Sequence, residues 1–145
     1  MTMRKTDAVV RILLPEIAGK EILEVACGTG DFSLSASAYA KAVYCIDLDE
    51  SRLSHKIKKD NITFRKMDAS RMSFPDGKFD TIFIYNAFFH IQSQWTNIEK
   101  ECRRVLRPNG SIYIIGTWKL DTSLLTDMFG EQATWQGNYC IVRIT

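Results

Sequence analysis

Three features of this 145-residue chain predict an α/β fold whose mostly parallel sheet is covered on both faces. Short apolar runs alternate with segments of helical character. The runs carry almost no polar interruption, as expected of strands buried on both sides. A Gly28-Thr29-Gly30 turn follows the first run, where a strand of such a sheet gives way to its helix.

The elements follow in order. Residues 22–26 are apolar and β-branched enough for a buried strand, and "DFSLSASAYA" reads as a helix of small residues. "KAVYCID" is a second strand, and "ESRLSHKIKK" a second helix with Leu53 and Ile57 four apart. "NITFRKMD" makes a third strand. "FPDGKFD" is a loop marked by Pro75 and Asp76-Gly77. "TIFIYN" is a fourth strand. Over residues 96–106, Ile98, Cys102 and Val105 recur with Trp95 at helical spacing, and Thr96-x-x-Glu99 suits a capping box. "RPNG" stops that helix, and "SIYIIGTW" is a fifth strand. "DTSLLTDMFGE" is a short helix and "NYCIVRI" a closing strand.

Composition narrows the class. A net charge of +2 does not argue for nucleic acid. Lys56, Lys58 and Lys59 form one basic cluster and Arg103, Arg104 and Arg107 another; each reads as a solvated helix face or a helix C-terminus. Cys27, Cys45, Cys102 and Cys140 are far apart without a C-x-x-C pair, so they read as buried thiols in a reducing compartment, neither disulfides nor metal ligands. No apolar stretch approaches the ~18 residues that span a bilayer. Charges interrupt the N-terminal apolar segment, so a cytoplasmic protein without a signal peptide is expected.

Right-handed crossovers put the C-terminal ends of parallel strands on one sheet edge, where ligands bind in such folds. The unusual residues fall there: the glycines, Asp47, Asp68, and the stretch from Asn86 to His90. Gly28 and Gly30 offer bare backbone to a ligand. Asp47, about 20 residues on and closing the next strand, suits the two hydroxyls of a ribose. The third glycine of a dinucleotide fingerprint is missing, and Asp31 puts negative charge where a pyrophosphate would sit. An adenosine-type ligand without phosphates fits best; an NAD or nucleotide-sugar enzyme fits less well.

"EVACGTG" resembles the first motif of the class I S-adenosylmethionine-dependent methyltransferases, with Ala26 in place of the first glycine; "ACGTGD" is similar to the form in quinone-biosynthesis methyltransferases and their relatives. The resemblance continues through "CIDLDESRL", "MDASRMSFPDGKFD", "IYNAFFHI" and "ECRRVLRPNGSIYI", from residue 22 to residue 116. It implies a single domain with a doubly wound, mostly parallel Rossmann-like sheet of six or seven strands and an antiparallel C-terminal strand. Residues 1–20 would be a helical lid, 21–118 the cofactor-binding core, and 119–145 an abbreviated helix and strand, so the fold is shortened at both ends. "QATWQGNYCIVRIT" would hold a shortened hairpin or lack the sixth strand.

The resemblance also implies roles. Ala26, Cys27, Gly28 and Gly30 would line the methionine moiety of S-adenosylmethionine, with Glu24 beneath it. Asp47 would take the ribose and Leu48 would pack on adenine. Asp68 would accept from the adenine amino group with Ala69 behind it, and Asn86 and Ala87 would lie beside the methionine. Structural alternatives stand beside these: Glu24 satisfying nearby backbone, Asp68 as an Asx-turn or cap. Asp47 has least room for one, since an acid at a buried strand end is costly without a partner.

The expected reaction is methyl transfer to an unassigned acceptor, small or macromolecular, with S-adenosylhomocysteine as product. His90 is the candidate general base, needed only for an acceptor protonated at neutral pH. Phe88, Phe89 and Trp95 would form either an aromatic wall for the acceptor or part of the core. A chain this short leaves three options: an open site for a large acceptor, completion by a second copy or partner subunit, or a non-catalytic cofactor-binding scaffold.

Overall fold

The structure, a computed structural model, describes residues 4–145, so the first three residues of the expected lid lie outside the described residues. In chain order it forms α1 (Lys5–Ile12), β1 (Glu21–Val25), α2 (Asp31–Ala36), β2 (Ala42–Asp47), β3 (Ile62–Lys66) and β4 (Phe79–Tyr85). Then come α3 (Phe88–Ile91), α4 (Trp95–Val105), β5 (Leu106–Gly116), α5 (Lys119–Phe129), β6 (Ala133–Gln136) and β7 (Tyr139–Ile144). The seven strands make one sheet in the order β3-β2-β1-β4-β5-β7-β6. All neighbours pair in parallel except β7, which runs antiparallel to both β5 and β6.

The alternation of side chains along each strand divides the core in two. Leu23, Ile82, Ile84, Ile112 and Ile114 point to one face, where Ile98, Cys102 and Val105 of α4 and Leu125 of α5 cover them. Ile22, Phe83, Tyr113 and Ile115 point to the other, under Val9 and Val10 of α1 and Phe32 and Ala36 of α2. Strands sandwiched this way need apolar residues at every position, which is why they read as unbroken runs.

Four expectations are corrected. Residues 50–59 do not form a helix but a chain of turns. Side chains bond locally there: Asp49 accepts from the Ser51 N–H and hydroxyl (2.9 and 2.8 Å), and Ser54 Oγ accepts from the Lys56 N–H (3.1 Å). Such bonds offer the backbone an alternative to the helical ladder. The Thr96–Glu99 capping box is not made: α4 starts at Trp95 with Gln94 at its cap, directly after a 3-10 turn, and Glu99 pairs instead with Arg103 at 2.9 Å. Residues 107–110 end α4 but already belong to β5, whose register against β4 shifts between Phe79 and Thr81. The helix begun at Asp31 ends at Ala36, short of residue 40.

The C-terminal hairpin is complete. Gly137, at φ 58°, turns the chain between β6 and β7, and Gln136 pairs with Tyr139. No helix of the described residues is long and apolar enough to cross a membrane.

Candidate functional site

The turn after β1 is built from left-handed backbone: φ is 56° at Ala26, 54° at Gly28 and 82° at Gly30. A Cβ on Gly28 would meet only the Arg52 guanidinium at an ordinary 3.7 Å, so backbone conformation, rather than space, calls for glycine there. At Gly30 both apply, since a Cβ would come within 2.8 Å of Ile57 Cδ1. Leu53 and Ile57 fold over Gly30, and the Ser54 N–H donates to the Thr29 carbonyl (2.9 Å). The failed helix thus becomes the cover of the turn.

Asp47 ties this turn to the end of β2. Its Oδ2 accepts from the Gly28 N–H at 2.8 Å and its Oδ1 from the Asp49 N–H at 3.1 Å. Each oxygen keeps a further lone pair for a ligand hydroxyl. Two hollows meet at Asp47 and Ala26. The larger, about 420 Å³, is lined by Glu24, Cys27 and Gly28 at and after the end of β1, by Tyr85, Asn86, Ala87 and His90 at and after the end of β4, and by Lys5, Thr6, Arg52 and Trp118. The smaller, about 90 Å³, is an apolar slot between Leu48, Met67, Asp68 and Ala69 and the side chains of Ile91 and Ile98.

Of the residues singled out in the sequence, Glu24, Ala26, Cys27, Gly28, Asp47, Asn86, Ala87 and His90 line the larger hollow, and Leu48, Asp68 and Ala69 the smaller. Gly30 lines neither; it lies under Ile57 as the cap of α2. Leu48 is 62% exposed, leaving a face open beside the slot. Phe88 and Trp95 pack edge to face in the core, 5.1 Å between centroids, whereas Phe89 stands at the surface.

Glu24 is 2% exposed and accepts at Oε1 from the Ser33 N–H (3.1 Å) and hydroxyl (2.7 Å). Burial pushes its carboxyl well above the usual carboxylate range, and the Ser33 bonds oppose that only in part. Asp68 forms an Asx turn, accepting at Oδ1 from the Ser70 N–H and hydroxyl (2.9 and 2.7 Å), and these bonds hold its carboxyl below the ordinary range. The neighbouring Cys45 sulfur and burial both push the Cys27 thiol above the ordinary thiol range.

The opposite wall is held by long-range side-chain bonds that sequence reasoning missed. Asn86, at φ 49°, accepts from the Thr117 N–H and donates to its hydroxyl, both at 2.8 Å, clasping the ends of β4 and β5 together. Asp121 of α5, fully buried, accepts the Phe89 N–H at 2.8 Å through Oδ1 and so caps α3; its Oδ2 has no partner among the described residues. Gly116 allows that approach, since a Cβ there would lie 2.9 Å from Asp121 Cβ. The α3 turn presents Phe89 and His90, which with Trp118 form an aromatic rim with ring centroids 5.7 to 6.2 Å apart. No hydrogen bond to the His90 ring is made among the described residues. Trp118 was findable by the strand-edge logic, as it closes the fifth apolar run; Arg52 lies in a quoted motif but carries no signal alone.

The methyltransferase domain family matches residues 23–114. A 27-O-demethylrifamycin SV methyltransferase from Amycolatopsis mediterranei is 28% identical over 119 residues, 77% of this chain and 43% of that one. A demethylmenaquinone methyltransferase from Clavibacter sepedonicus is 31% identical over 111 residues, 74% of this chain and 44% of that one. This chain thus spans under half the length of these two relatives. The crystal structure of an S-adenosylmethionine-dependent methyltransferase from Aquifex aeolicus aligns with a TM-score of 0.75 at 20% identity, covering 97% of this chain and 90% of that one, which shows the shared fold.

Proposed function

This chain belongs to the methyltransferase domain family, and from that premise we propose that it transfers a methyl group from S-adenosylmethionine to an acceptor by in-line displacement at carbon. The observation that carries the reading is the pair of hollows, one polar and one apolar, joined at a carboxylate beside left-handed backbone. Adenosine fits that shape: the flat base between Leu48 and Ile98, with Asp68 and Ala69 at its edge, and the ribose hydroxyls on Asp47. Ala26, Cys27 and Gly28 would flank the methionine part opposite Asn86 and Ala87. Gly30 acts at one remove, through the cap of α2 and the cover of the turn.

When bound, the cofactor supplies a methyl group already activated by a positively charged sulfur. The chain's task is then alignment and exclusion of water. Asp31 and Asp47 line the larger hollow beside Lys5 and Arg52, and a cationic ligand there would favour the charged form of the buried Glu24. The His90 ring lining the hollow would take the proton of an acceptor that carries one, and the acceptor would approach past the aromatic rim that His90 shares with Phe89 and Trp118. Four buried free cysteines suit a reducing, cytoplasmic setting. The lack of an orienting partner for His90 favours a second reading, a cofactor-binding domain without catalysis.

Calorimetry with S-adenosylhomocysteine tests the cofactor site. Wild type should bind in the micromolar range, Asp47→Asn about tenfold more weakly, and Asp47→Ala more weakly still, by about 2 kcal/mol or more, because the Gly28 N–H loses its acceptor too. Absence of binding to the wild type would overturn the proposal. Binding without labelled-methyl transfer to any extract component would favour the second reading.

A further inference from the structure

A second hollow, about 490 Å³ against about 420 Å³ for the cofactor cleft, lies on the flank where α1 packs on α2. Three cations line it: Arg4 and Arg11 from the two ends of α1, and Lys59 before β3. None of them has a carboxylate within 4.0 Å among the ion pairs of the described residues. One acid lines the hollow, Asp7; its Oδ2 accepts the Arg4 backbone N–H at 2.7 Å, and its charge lies near both Arg4 and Arg11, leaving a net excess of positive charge. The wall is braced: both N–H groups of the Asn61 amide donate to main chain, to Ser37 O at 2.9 Å and Ala40 O at 3.2 Å. The exposed ring of Tyr39 stands at the rim.

We propose that this hollow binds a phosphate-bearing small molecule. Arg4, Arg11 and Lys59 take its anionic oxygens, and Tyr39 flanks its organic part. Two guanidinium forks and an ammonium around one concavity suit the several oxygens of a phosphate better than a single carboxylate. The volume exceeds what inorganic phosphate fills, which points to an organic phosphate. The site is separate from the methyl-donor site yet shares a wall with it. Arg4 and Asp7 line this hollow while Lys5 and Thr6 line the other, so the first turn of α1 stands between them.

The test is a calorimetric titration of the whole chain with pyrophosphate at low and raised ionic strength. The variants are Arg11→Gln/Lys59→Gln and, as a control on α4, Lys100→Gln. Wild type and Lys100→Gln should bind alike, with affinity falling as salt rises, and the double variant should lose about tenfold. Unchanged thermal midpoints would exclude misfolding. S-adenosylhomocysteine binding, measured on the same samples, should stay within about twofold, so loss of this site and loss of the donor site are read separately. No binding of pyrophosphate to the wild type, or equal binding by the double variant, would overturn the site. Binding of a single-stranded oligonucleotide without binding of pyrophosphate would overturn it in favour of a nucleic-acid surface.

Discussion

The two walls of the larger hollow, the proposed cofactor cleft, are held in different ways. On the β1 and β2 side, local backbone does it: three left-handed residues within five positions, with Asp47 receiving the Gly28 N–H. On the β4 and β5 side, pairs far apart in sequence do it. Asn86 and Thr117 are 31 positions apart, and Phe89 and Asp121 are 32. The first wall depends on what each residue's own φ permits, and the second on side chains meeting across the fold. Substitutions should therefore separate the walls: one set acts on the turn and what it binds, the other on the aromatic rim with donor binding spared.

The largest effect should come from Gly30→Ala. It combines a φ of 82° with a 2.8 Å approach to Ile57 Cδ1, so the backbone is strained and the Ile57 side chain must also shift. A loss of about 2 kcal/mol in denaturant unfolding is expected, with weaker S-adenosylhomocysteine binding. If stability holds and binding is normal, local backbone does not govern this wall.

Asp121→Ala comes next. It strands the Phe89 N–H and loosens α3, for about 1 kcal/mol, the loss of the partnerless Oδ2 offsetting part of the cost. Calorimetric affinity for S-adenosylhomocysteine should stay within about twofold. A large loss of affinity would show that the two walls are coupled rather than separate.

Glu24 sharpens the comparison through pH. Its folded-state value is raised by burial, so the folded protein holds the proton more tightly than the unfolded chain does. Stability from this group is full below the ordinary carboxylate range and is lost as pH rises through the folded-state value. Glu24→Gln keeps an acceptor for Ser33, so it should remove that decline and be the more stable protein at neutral pH. Parallel thermal midpoints of the two proteins across pH would refute this. A cation beside Glu24 favours its charged form, so donor binding should release a proton and tighten with rising pH.

The smallest effect belongs to Ala26→Gly, which relieves a left-handed alanine at φ 56° while freeing the unfolded chain. A gain of at most about 1 kcal/mol is expected, read from the thermal midpoint; a loss would mean that the methyl group packs usefully.

The same contrast explains what could be read in the sequence. Strand runs, the glycine turn and Asp47 announce themselves because each depends on neighbours in the chain or on a fixed spacing. The hairpin around Gly137 is local in the same sense. Residues 50–59 misled because Leu53 and Ile57 do share a spacing, but spend it on covering Gly30 rather than on a helix face. Thr96 misled because the chain enters α4 from a turn that already follows a helical path. Asp121 had no sequence signal, since its partner is the backbone of Phe89, far along the chain and not recognisable by residue type.

Gly116 and Asp121 also set how this molecule can change over generations. With 2.9 Å between the Asp121 Cβ and a hypothetical Cβ on residue 116, the two positions are sterically coupled. A side chain can enter at the strand end only if the helix start moves or shrinks with it. A larger residue at position 116 would therefore be tolerated only together with a change at position 121.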